Sequence, residues 1–183
     1  MNVAVCDYGA GNVRSVVVAF ERLGAAARLT TTPTDVASAD LAVLPGVGSA
    51  RSAMNALRER GLDGALRDRV AGGGATLGIC LGLQLALDES EEDGGVSGLG
   101  IVPGRAVRLR TERVPRIGWA EVEPDGEAYY FAHSYAAETD AAVSRSEGIV
   151  AVAQSGSFVG VQFHPEKSGA AGARFLARCL SRV

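Results

Sequence analysis

The hydrophobic and polar positions of the first half of the chain alternate between strand-like and helix-like stretches. Short apolar runs predict strands over residues 2–7, 27–31, 41–44 and 75–79. Longer amphipathic stretches predict helices over residues 13–23, 50–60, 62–71 and 81–87. Because strands that alternate with helices build a parallel sheet covered on both faces, this order predicts an α/β fold.

The pattern changes after residue 102, where short strands replace the strand–helix units. Strands are predicted over 106–110, 119–122, 128–131, 149–154 and 158–163, and a last helix over about 171–179. The acidic stretch 88–93, followed by two glycines, predicts an exposed helix end and loop. No repeat, linker or low-complexity segment divides the chain, so we expect one domain over residues 1–183.

Composition narrows the class of protein. The 183 residues are enough for one sizeable core, and 47% of them are hydrophobic without a run long enough to span a bilayer. No secretory signal is visible, and the net charge of −3 argues against nucleic-acid binding. Three cysteines at unrelated spacings favour neither a disulfide framework nor a zinc site. We expect a cytoplasmic protein with no metal, no cofactor, and no nucleic-acid or membrane partner.

The first candidate for chemistry is Cys80, which stands between Gly78 and Gly82 where a predicted strand meets a predicted helix. This is the layout of a nucleophile elbow, with cysteine in place of serine. Small neighbours let the side chain stand clear of the sheet, and the helix N-terminus favours a thiolate. The N–H of Leu81 is then placed to hold an oxyanion. Taken alone, such a cysteine is also explained as a small buried hydrophobic residue.

A thiolate nucleophile needs a base, and the chain has two histidines. His164 follows a predicted strand, and Pro165 favours an extended backbone there. Glu166 lies two residues on, so both side chains should project to one side and the carboxylate should orient the imidazole. His133 has Tyr135 at the corresponding position, and we expect it to be structural.

Together the two motifs resemble a known family. Gly-x-Cys-x-Gly-x-Gln at 78–84 with His-Pro-Glu at 164–166 resembles the class I (triad-type) glutamine amidotransferases. Three further segments are similar to the glutaminase subunit of imidazole glycerol phosphate synthase: VAVCDYGAGN at 3–12, LPGVGS at 44–49 and HSY at 133–135. The resemblance covers nearly the whole chain. It implies the flavodoxin-like fold of that family, with a mostly parallel central sheet, helices on both faces and short antiparallel strands in the second half.

The resemblance also implies an activity. The enzyme would hydrolyse L-glutamine to glutamate and ammonia, with Cys80 as nucleophile, His164 as base and Glu166 as its orienting group. Ammonia would pass to a (β/α)₈-barrel synthase subunit that makes imidazole glycerol phosphate and aminoimidazole carboxamide ribotide in histidine biosynthesis. The chain is too short to include that barrel, so a heterodimer is expected.

Several other residues take roles from the same resemblance. The Val47 N–H joins that of Leu81 in the oxyanion hole only after its peptide turns, so the free subunit should be nearly silent. The expected substrate contacts are Gly48, Gln84, Ser134 and Tyr135. The expected interface residues are Asn12, Trp119 and Lys167, the last being the only lysine in the chain.

One segment departs from the family pattern, because Arg116 and Ala120 stand where histidine and asparagine are usual. Two alternatives remain open. One is a different triad glutaminase, of the pyridoxal phosphate synthase or anthranilate type, which the segments at 3–12 and 44–49 disfavour. The other is a non-catalytic interaction subunit that regulates a synthase, and the presence of Cys80, His164 and Glu166 argues against it.

Overall fold

The computed structural model describes residues 1–9, 11, 13–111 and 113–183. Within them, the central sheet has seven strands. In their order across the sheet they are β11 (Ala142–Ser146), β12 (Ile149–Ser155), β13 (Phe158–Val161), β4 (Thr76–Ile79), β3 (Leu41–Leu44), β1 (Asn2–Cys6) and β2 (Ala26–Thr30). The five strands from β13 to β2 pair in parallel, and β12 and β11 continue the sheet antiparallel.

Helices cover both faces of this sheet. They are α1 (Arg14–Glu21), α2 (Pro33–Ser38), α3 (Ala50–Glu59), α4 (Leu62–Ala71), α5 (Leu81–Ala86) and α6 (Gly169–Leu180). Successive side chains of a strand point to opposite faces, so Val3 and Val5 join one core with Phe20 of α1 and Leu176 of α6. Cys6 joins the opposite core, which it shares with residues of α3, α4 and α5.

Two smaller sheets complete the molecule. One runs β10 (Tyr135–Glu138), β7 (Arg105–Arg108), β5 (Glu89–Ser90) and β6 (Val96–Ser97). The other is the antiparallel pair of β8 (Arg116–Val122) and β9 (Glu127–His133), in which Arg116 lies opposite His133. No helix in the described part of the chain is long and apolar enough to cross a membrane.

The α/β prediction is confirmed, and most predicted elements are present with ends shifted by a few residues. Sequence reasoning missed α2, β5, β6, β10 and β11, which are short and lack a clear period. The prediction of an exposed helix end and loop at 88–93 is correct for exposure, since most of these residues are exposed, but wrong for the helix end, because the segment forms β5 and a 3₁₀ turn. Ser90 is buried in β5, and the Glu92 carboxylate accepts the Ala50 N–H at 3.0 Å, at the start of α3. These residues are fixed by partners distant in sequence, which local patterning does not show.

The fold brings three loops to one edge of the sheet. β4 lies between β3 and β13, and the three strands run parallel, so their carboxyl ends meet. Ligands of open α/β sheets bind outside the carboxyl ends of the strands. The segment 45–49 follows β3, Cys80 follows β4, and His164 comes shortly after β13.

Candidate active site

Cys80 occupies a strained turn between β4 and α5. Its backbone has φ 51° and ψ −106°, a combination that side-chain-bearing residues rarely adopt and that is typical of functional positions. The Cys80 N–H donates to the Val161 carbonyl at 2.7 Å, and its own carbonyl accepts the Leu83 N–H at 3.1 Å. Neighbouring strand and helix therefore hold the turn, and the strand–turn–helix geometry of a nucleophile elbow is present.

Three glycines make room for this turn. A Cβ at Gly78 would lie 2.6 Å from the Phe158 ring, and one at Gly82 would collide with the Leu44 carbonyl. A Cβ at Gly46 would collide with the backbone on either side of Cys80. The small residues around the nucleophile are thus required by close backbone packing.

His164 and Glu166 form a buried pair beside Cys80. His164 is extended, with φ −103° and ψ 93°, and its Nδ1 lies 2.8 Å from Glu166 Oε1. Since a carboxylate accepts and does not donate, Nδ1 carries the proton and Nε2 is left for the sulfur. Glu166 lies within the short 3₁₀ turn Pro165–Lys167 rather than in a continued strand, yet the two side chains meet as expected.

The surroundings of His164 decide its charge. Burial disfavours the imidazolium, but hydrogen bonds with Cys80 and Glu166 and the charges of both groups outweigh it and raise the His164 pKa to about 9. The histidine is therefore protonated at neutral pH, with a carboxylate on one side and the sulfur on the other. Such a pair can supply a proton to a leaving group.

Sequence reasoning did not single out Gln162, which also contacts Cys80. It is fully buried, and its Nε2 donates to Cys80 Sγ at 3.6 Å. A signal existed, since residues two apart on an extended segment project to the same side, and Gln162 stands two before His164.

The other two cysteines are poor candidates for a nucleophile. Burial raises the pKa of Cys6 to about 12 and that of Cys179 to about 11. Cys6 lies within the core, and Cys179 packs against it.

A pocket of about 330 Å³ opens over the sulfur. It brings together the residues predicted for catalysis, for the oxyanion hole and for substrate binding: Cys80, His164, Val47, Leu81, Gly48, Gln84, Ser134 and Tyr135. Gln84 is buried, and its Nε2 donates to the Tyr135 carbonyl at 2.8 Å and to Gln162 Oε1 at 3.2 Å. The amide nitrogen predicted to meet a ligand is therefore engaged within the protein.

His133 lines the same pocket but differs from His164. Its Nδ1 donates to the Tyr135 carbonyl at 2.9 Å. Burial lowers the His133 pKa to about 4, and the charges of Arg116 and His164 add to this effect. His133 is therefore neutral at physiological pH, and its buried Nε2 has no hydrogen-bond partner among the described residues. This environment suits a structural residue rather than a base.

The predicted oxyanion loop is anchored by Tyr8. The Tyr8 hydroxyl donates to the Pro45 carbonyl at 2.6 Å, and the side chain is 5% exposed. Burial raises the Tyr8 pKa, while the nearby Val47 backbone lowers it in part. Tyr8 therefore fixes the loop at Pro45, and Gly48 has φ 109°, a conformation suited to glycine.

Of the residues predicted at the partner interface, Lys167 lines the pocket, and Trp119 lies two residues along β8 from Ile117, which also lines it. Trp119 is 59% exposed and lies on the same face of β8 as Ile117, which is 63% exposed. Lys167 is exposed, and both it and Ile117 line the pocket. Asn12 is outside the described residues.

The unusual Arg116 contacts several elements, although its buried Nη1 has no hydrogen-bond partner among the described residues. Its Cζ lies 4.2 Å from the centre of the Phe131 ring, a cation–π geometry. Its Nη2 donates at 2.8 Å to Ser146 Oγ and at 2.8 Å to the Glu147 carboxylate. Arg116 therefore joins the β8–β9 pair to the end of β11. Ala120 is half-buried and packs against the core.

A larger cleft of about 980 Å³ lies along β7 and β10. The described residues that line it include several arginines but no cysteine or histidine. Among the described residues, no group of three or more His, Cys, Asp or Glu side chains is arranged to hold a metal ion. The nucleophile and its candidate base meet only in the smaller pocket.

Comparison with known proteins gives the family. The model of the family described as glutamine amidotransferase class-I matches residues 4–183. The imidazole glycerol phosphate synthase subunit HisH of Chlorobaculum tepidum is 42% identical over 95% of this chain and 96% of its own length. The subunit of the same name from Methanothermobacter thermautotrophicus is 42% identical over 93% of each chain. The chain belongs to the HisH family of class-I glutamine amidotransferases.

Solved structures agree with this fold. A crystal structure described as glutamine amidotransferase superposes with a TM-score of 0.83 at 21% identity, covering 99% of each chain. PurLQS from Thermotoga maritima superposes with a TM-score of 0.74 at 18% identity, over 99% of this chain and 97% of that one. The resemblance seen in the sequence is therefore confirmed. Membership of the HisH family makes the chain an enzyme subunit of the glutamine amidotransferase class.

Proposed function

We propose that this HisH-family chain hydrolyses L-glutamine through a Cys80–His164–Glu166 triad and passes the ammonia to a synthase subunit. The observation that carries the proposal is the geometry around His164. Its Nδ1 is held by Glu166 at 2.8 Å, and its pKa is raised to about 9 by Cys80 and Glu166 against the effect of burial. An imidazole held in this way is suited to move protons to and from a substrate at the sulfur.

The proposed reaction is acyl transfer. The Cys80 thiolate attacks the side-chain amide carbon of glutamine, and backbone N–H groups at Leu81 and Val47 hold the oxyanion. The C–N bond breaks as His164 gives its proton to the leaving ammonia. A glutamyl thioester remains. His164 then takes a proton from water, whose oxygen attacks the thioester, and glutamate leaves as Cys80 is restored.

The charges around the pocket support an amino-acid substrate. Glutamine carries an α-ammonium group, and the Glu92 carboxylate lines the pocket. Burial raises the Glu92 pKa and the Ala50 N–H lowers it in part, so this carboxylate is partly withdrawn from water. We assign to Glu92 the role of binding the α-ammonium group of glutamine. Gly48, Ser134 and Tyr135 supply the remaining contacts in this proposal.

The proposed partner is the (β/α)₈-barrel synthase subunit of imidazole glycerol phosphate synthase, in histidine biosynthesis. Support comes from the relatives, which carry the name of a subunit of that synthase. The exposed Trp119 and Ile117 also give the pocket mouth an apolar face, and Lys167 adds a cation. A partner docked there would receive ammonia before bulk water could protonate it.

The Tyr8 contact supports control of the reaction by that partner. The Tyr8 hydroxyl holds the loop at Pro45, two residues before Val47, and a Val47 N–H held away from Cys80 would leave the oxyanion with one of its two donors. Loss of one such donor typically costs about 10²–10³ in rate. We therefore propose that the free subunit is nearly silent and that the loaded partner favours the turned peptide.

Glutamate release from L-glutamine tests the proposal. It is measured with the chain alone, with the synthase subunit, and with that subunit plus its nucleotide ligand. Cys80→Ala is the control. We expect activity mainly in the full mixture and none in Cys80→Ala. Equal activity in all three mixtures would support the glutaminase activity but contradict the proposal that the Val47 peptide regulates it. Absence of activity in every mixture would reject the glutaminase.

A further inference from the structure

A chain of buried amides leads from the substrate loop to the nucleophile. The Tyr135 carbonyl accepts from Gln84 Nε2 at 2.8 Å, and the same Nε2 donates to Gln162 Oε1 at 3.2 Å. Gln162 Nε2 then donates to Cys80 Sγ at 3.6 Å. Gln84 is 4% exposed and Gln162 is 0% exposed, so water does not compete for these groups.

The Tyr135 carbonyl fixes which groups donate and which accept in this series of hydrogen bonds. A side-chain amide can in principle turn over and exchange its oxygen and nitrogen. The Tyr135 carbonyl only accepts, so Gln84 must present its NH₂ group to it. That NH₂ group also meets Gln162, so Gln162 must present its oxygen there. The NH₂ group of Gln162 is then left for Cys80, and the sulfur meets a donor.

We propose that Gln84 and Gln162 form an amide relay that holds a hydrogen-bond donor on the Cys80 sulfur. This inference rests on the proposed function, in which Cys80 is the nucleophile. Both glutamines are positioning residues, since Gln162 acts on the sulfur and Gln84 acts through Gln162. A donor stabilises a thiolate more than a thiol, because hydrogen bonds to charged groups are stronger. The relay therefore favours the reactive form of Cys80.

The relay also gives Gln84 a role other than ligand binding. If Gln84 only contacted glutamine, its removal would leave the ligand-free sulfur unchanged. If Gln84 orients Gln162, its replacement should change the reactivity of the sulfur without any ligand, although the Gln84 side chain bonds Tyr135 and Gln162 and not the sulfur. The two roles are separated by reactivity measured in the absence of glutamine.

The test is the pH dependence of Cys80 alkylation by iodoacetamide, followed by mass spectrometry of the Cys80 peptide. Gln162→Met and Gln84→Met keep side-chain length and remove the amides. We expect each to move the midpoint of the pH–rate profile upward by about one unit, and to slow alkylation at neutral pH about tenfold. The double variant should behave as Gln162→Met does, because the two amides act in series.

The matched control is Thr76→Val. Thr76 is 2% exposed on β4, the strand that leads to Cys80, and its hydroxyl donates to the Gly74 carbonyl at 3.0 Å. Its replacement removes a buried hydrogen bond from that strand without touching the sulfur, so the profile should stay in place. Cys80→Ala defines the background. A profile unmoved in Gln84→Met, with or without an effect in Gln162→Met, overturns the relay.

A second measurement keeps both glutamines and does not depend on the folding of the glutamine variants. The chain has only three glutamines, Gln84, Gln154 and Gln162, so selective ¹⁵N labelling gives three side-chain NH₂ signals. The Gln162 signal should move as Cys80 titrates and should lose this response in Cys80→Ala. A Gln162 signal that ignores the titration overturns the proposal. Neither experiment needs glutamine turnover, so a failure of the glutaminase proposal would be seen separately.

Discussion

His164 Nδ1 lies 2.8 Å from Glu166 Oε1, and each of the two side chains is only 4% exposed. This contact fixes the tautomer of the imidazole and leaves Nε2 toward Cys80. Because water is excluded, the carboxylate also stabilises the imidazolium strongly. The orientation of His164 and its proton affinity therefore depend on the same residue.

Glu166→Gln should alter both properties. Glu166 raises the His164 pKa, so its neutralisation should move the basic limb of the kcat profile from near pH 9 toward lower pH. We expect kcat to fall about 10²-fold or more, because a misplaced histidine loses its role. The measurement is glutaminase activity of the loaded complex across pH. Glu127→Gln, a carboxylate bound to Arg174 away from the pocket, is the control. A profile unchanged in Glu166→Gln would contradict the proposed orienting role.

Tyr8→Phe should loosen the loop that carries the Val47 peptide. The ring keeps its packing, but the hydroxyl that bonds the Pro45 carbonyl is lost. We expect glutaminase activity of the free subunit to rise about tenfold, while the fully activated rate changes little. Tyr129→Phe removes another buried tyrosine hydroxyl, bound to Glu127, and should leave the free subunit silent. Equal basal rates in the wild type and in Tyr8→Phe would count against this anchor.

Glu92→Gln should weaken glutamine binding. The substituted side chain at position 92 can still accept the Ala50 N–H through its amide oxygen. Helix α3 therefore keeps this contact, while the negative charge is lost. We expect KM to rise about tenfold with a smaller change in kcat, since the α-ammonium group is far from the reacting bond. The neighbouring Glu91→Gln, whose carboxylate accepts the Arg108 N–H, is the control. A KM that stays in place would remove Glu92 from the proposed substrate site.

His133→Asn should change how stability depends on pH. The folded protein lowers the His133 pKa from 6.5 to about 4, so the neutral form is favoured. The stability from this residue is therefore present above pH 6.5 and is lost as pH falls toward about 4, by about 3 kcal/mol.

Asparagine can donate to the Tyr135 carbonyl but does not titrate in this range. The variant should therefore lose that part of the acid destabilisation, measured as the free energy of urea unfolding at several pH values. Identical slopes for the two proteins would contradict the assignment. The contribution of His164 to stability has the opposite pH dependence. Because folding raises the His164 pKa, this contribution is fully present below pH 6.5 and is lost as pH rises through about 9.

Trp119→Ala should weaken docking of the synthase subunit and leave the chemistry intact. Exposed aromatic residues often dominate interfaces, so we expect the Kd to rise about tenfold or more. Cys80 alkylation should be unchanged. Val143→Ala removes an apolar side chain that is 57% exposed on β11 and serves as the control. Unaltered affinity in Trp119→Ala would place the interface on another face.

The proposed triad was visible in the sequence because its geometry is local at each of its two sites. Gly78 and Gly82 mark a tight turn at Cys80, and Pro165 fixes the backbone between His164 and Glu166. Cys80 and His164 come together because β4 lies beside β13. The sequence pattern did not show this strand order, although the family resemblance implied that the two residues act together.

Other parts of the pocket had no local signal. Glu92 was expected in an exposed loop, and its place at the pocket depends on a contact with Ala50, 42 residues away. Tyr8 was noted only as part of a motif, and its bond to Pro45 joins the ends of two strands. Arg116 departs from the family pattern, but its contacts with Phe131 on β9 and with Glu147 after β11 are set by the tertiary structure.

The sequence by itself determined the α/β class, the turn at Cys80 and the family, because these depend on residue types at short spacing. Only the tertiary structure decided which amide meets the sulfur and which hydroxyl holds the loop at Pro45. Hydrogen bonds are directional and short, so a partner 82 residues away, as Gln162 is from Cys80, is chosen by strand order and packing. Residue patterns specify which groups are available, and the folded chain decides which of them face each other.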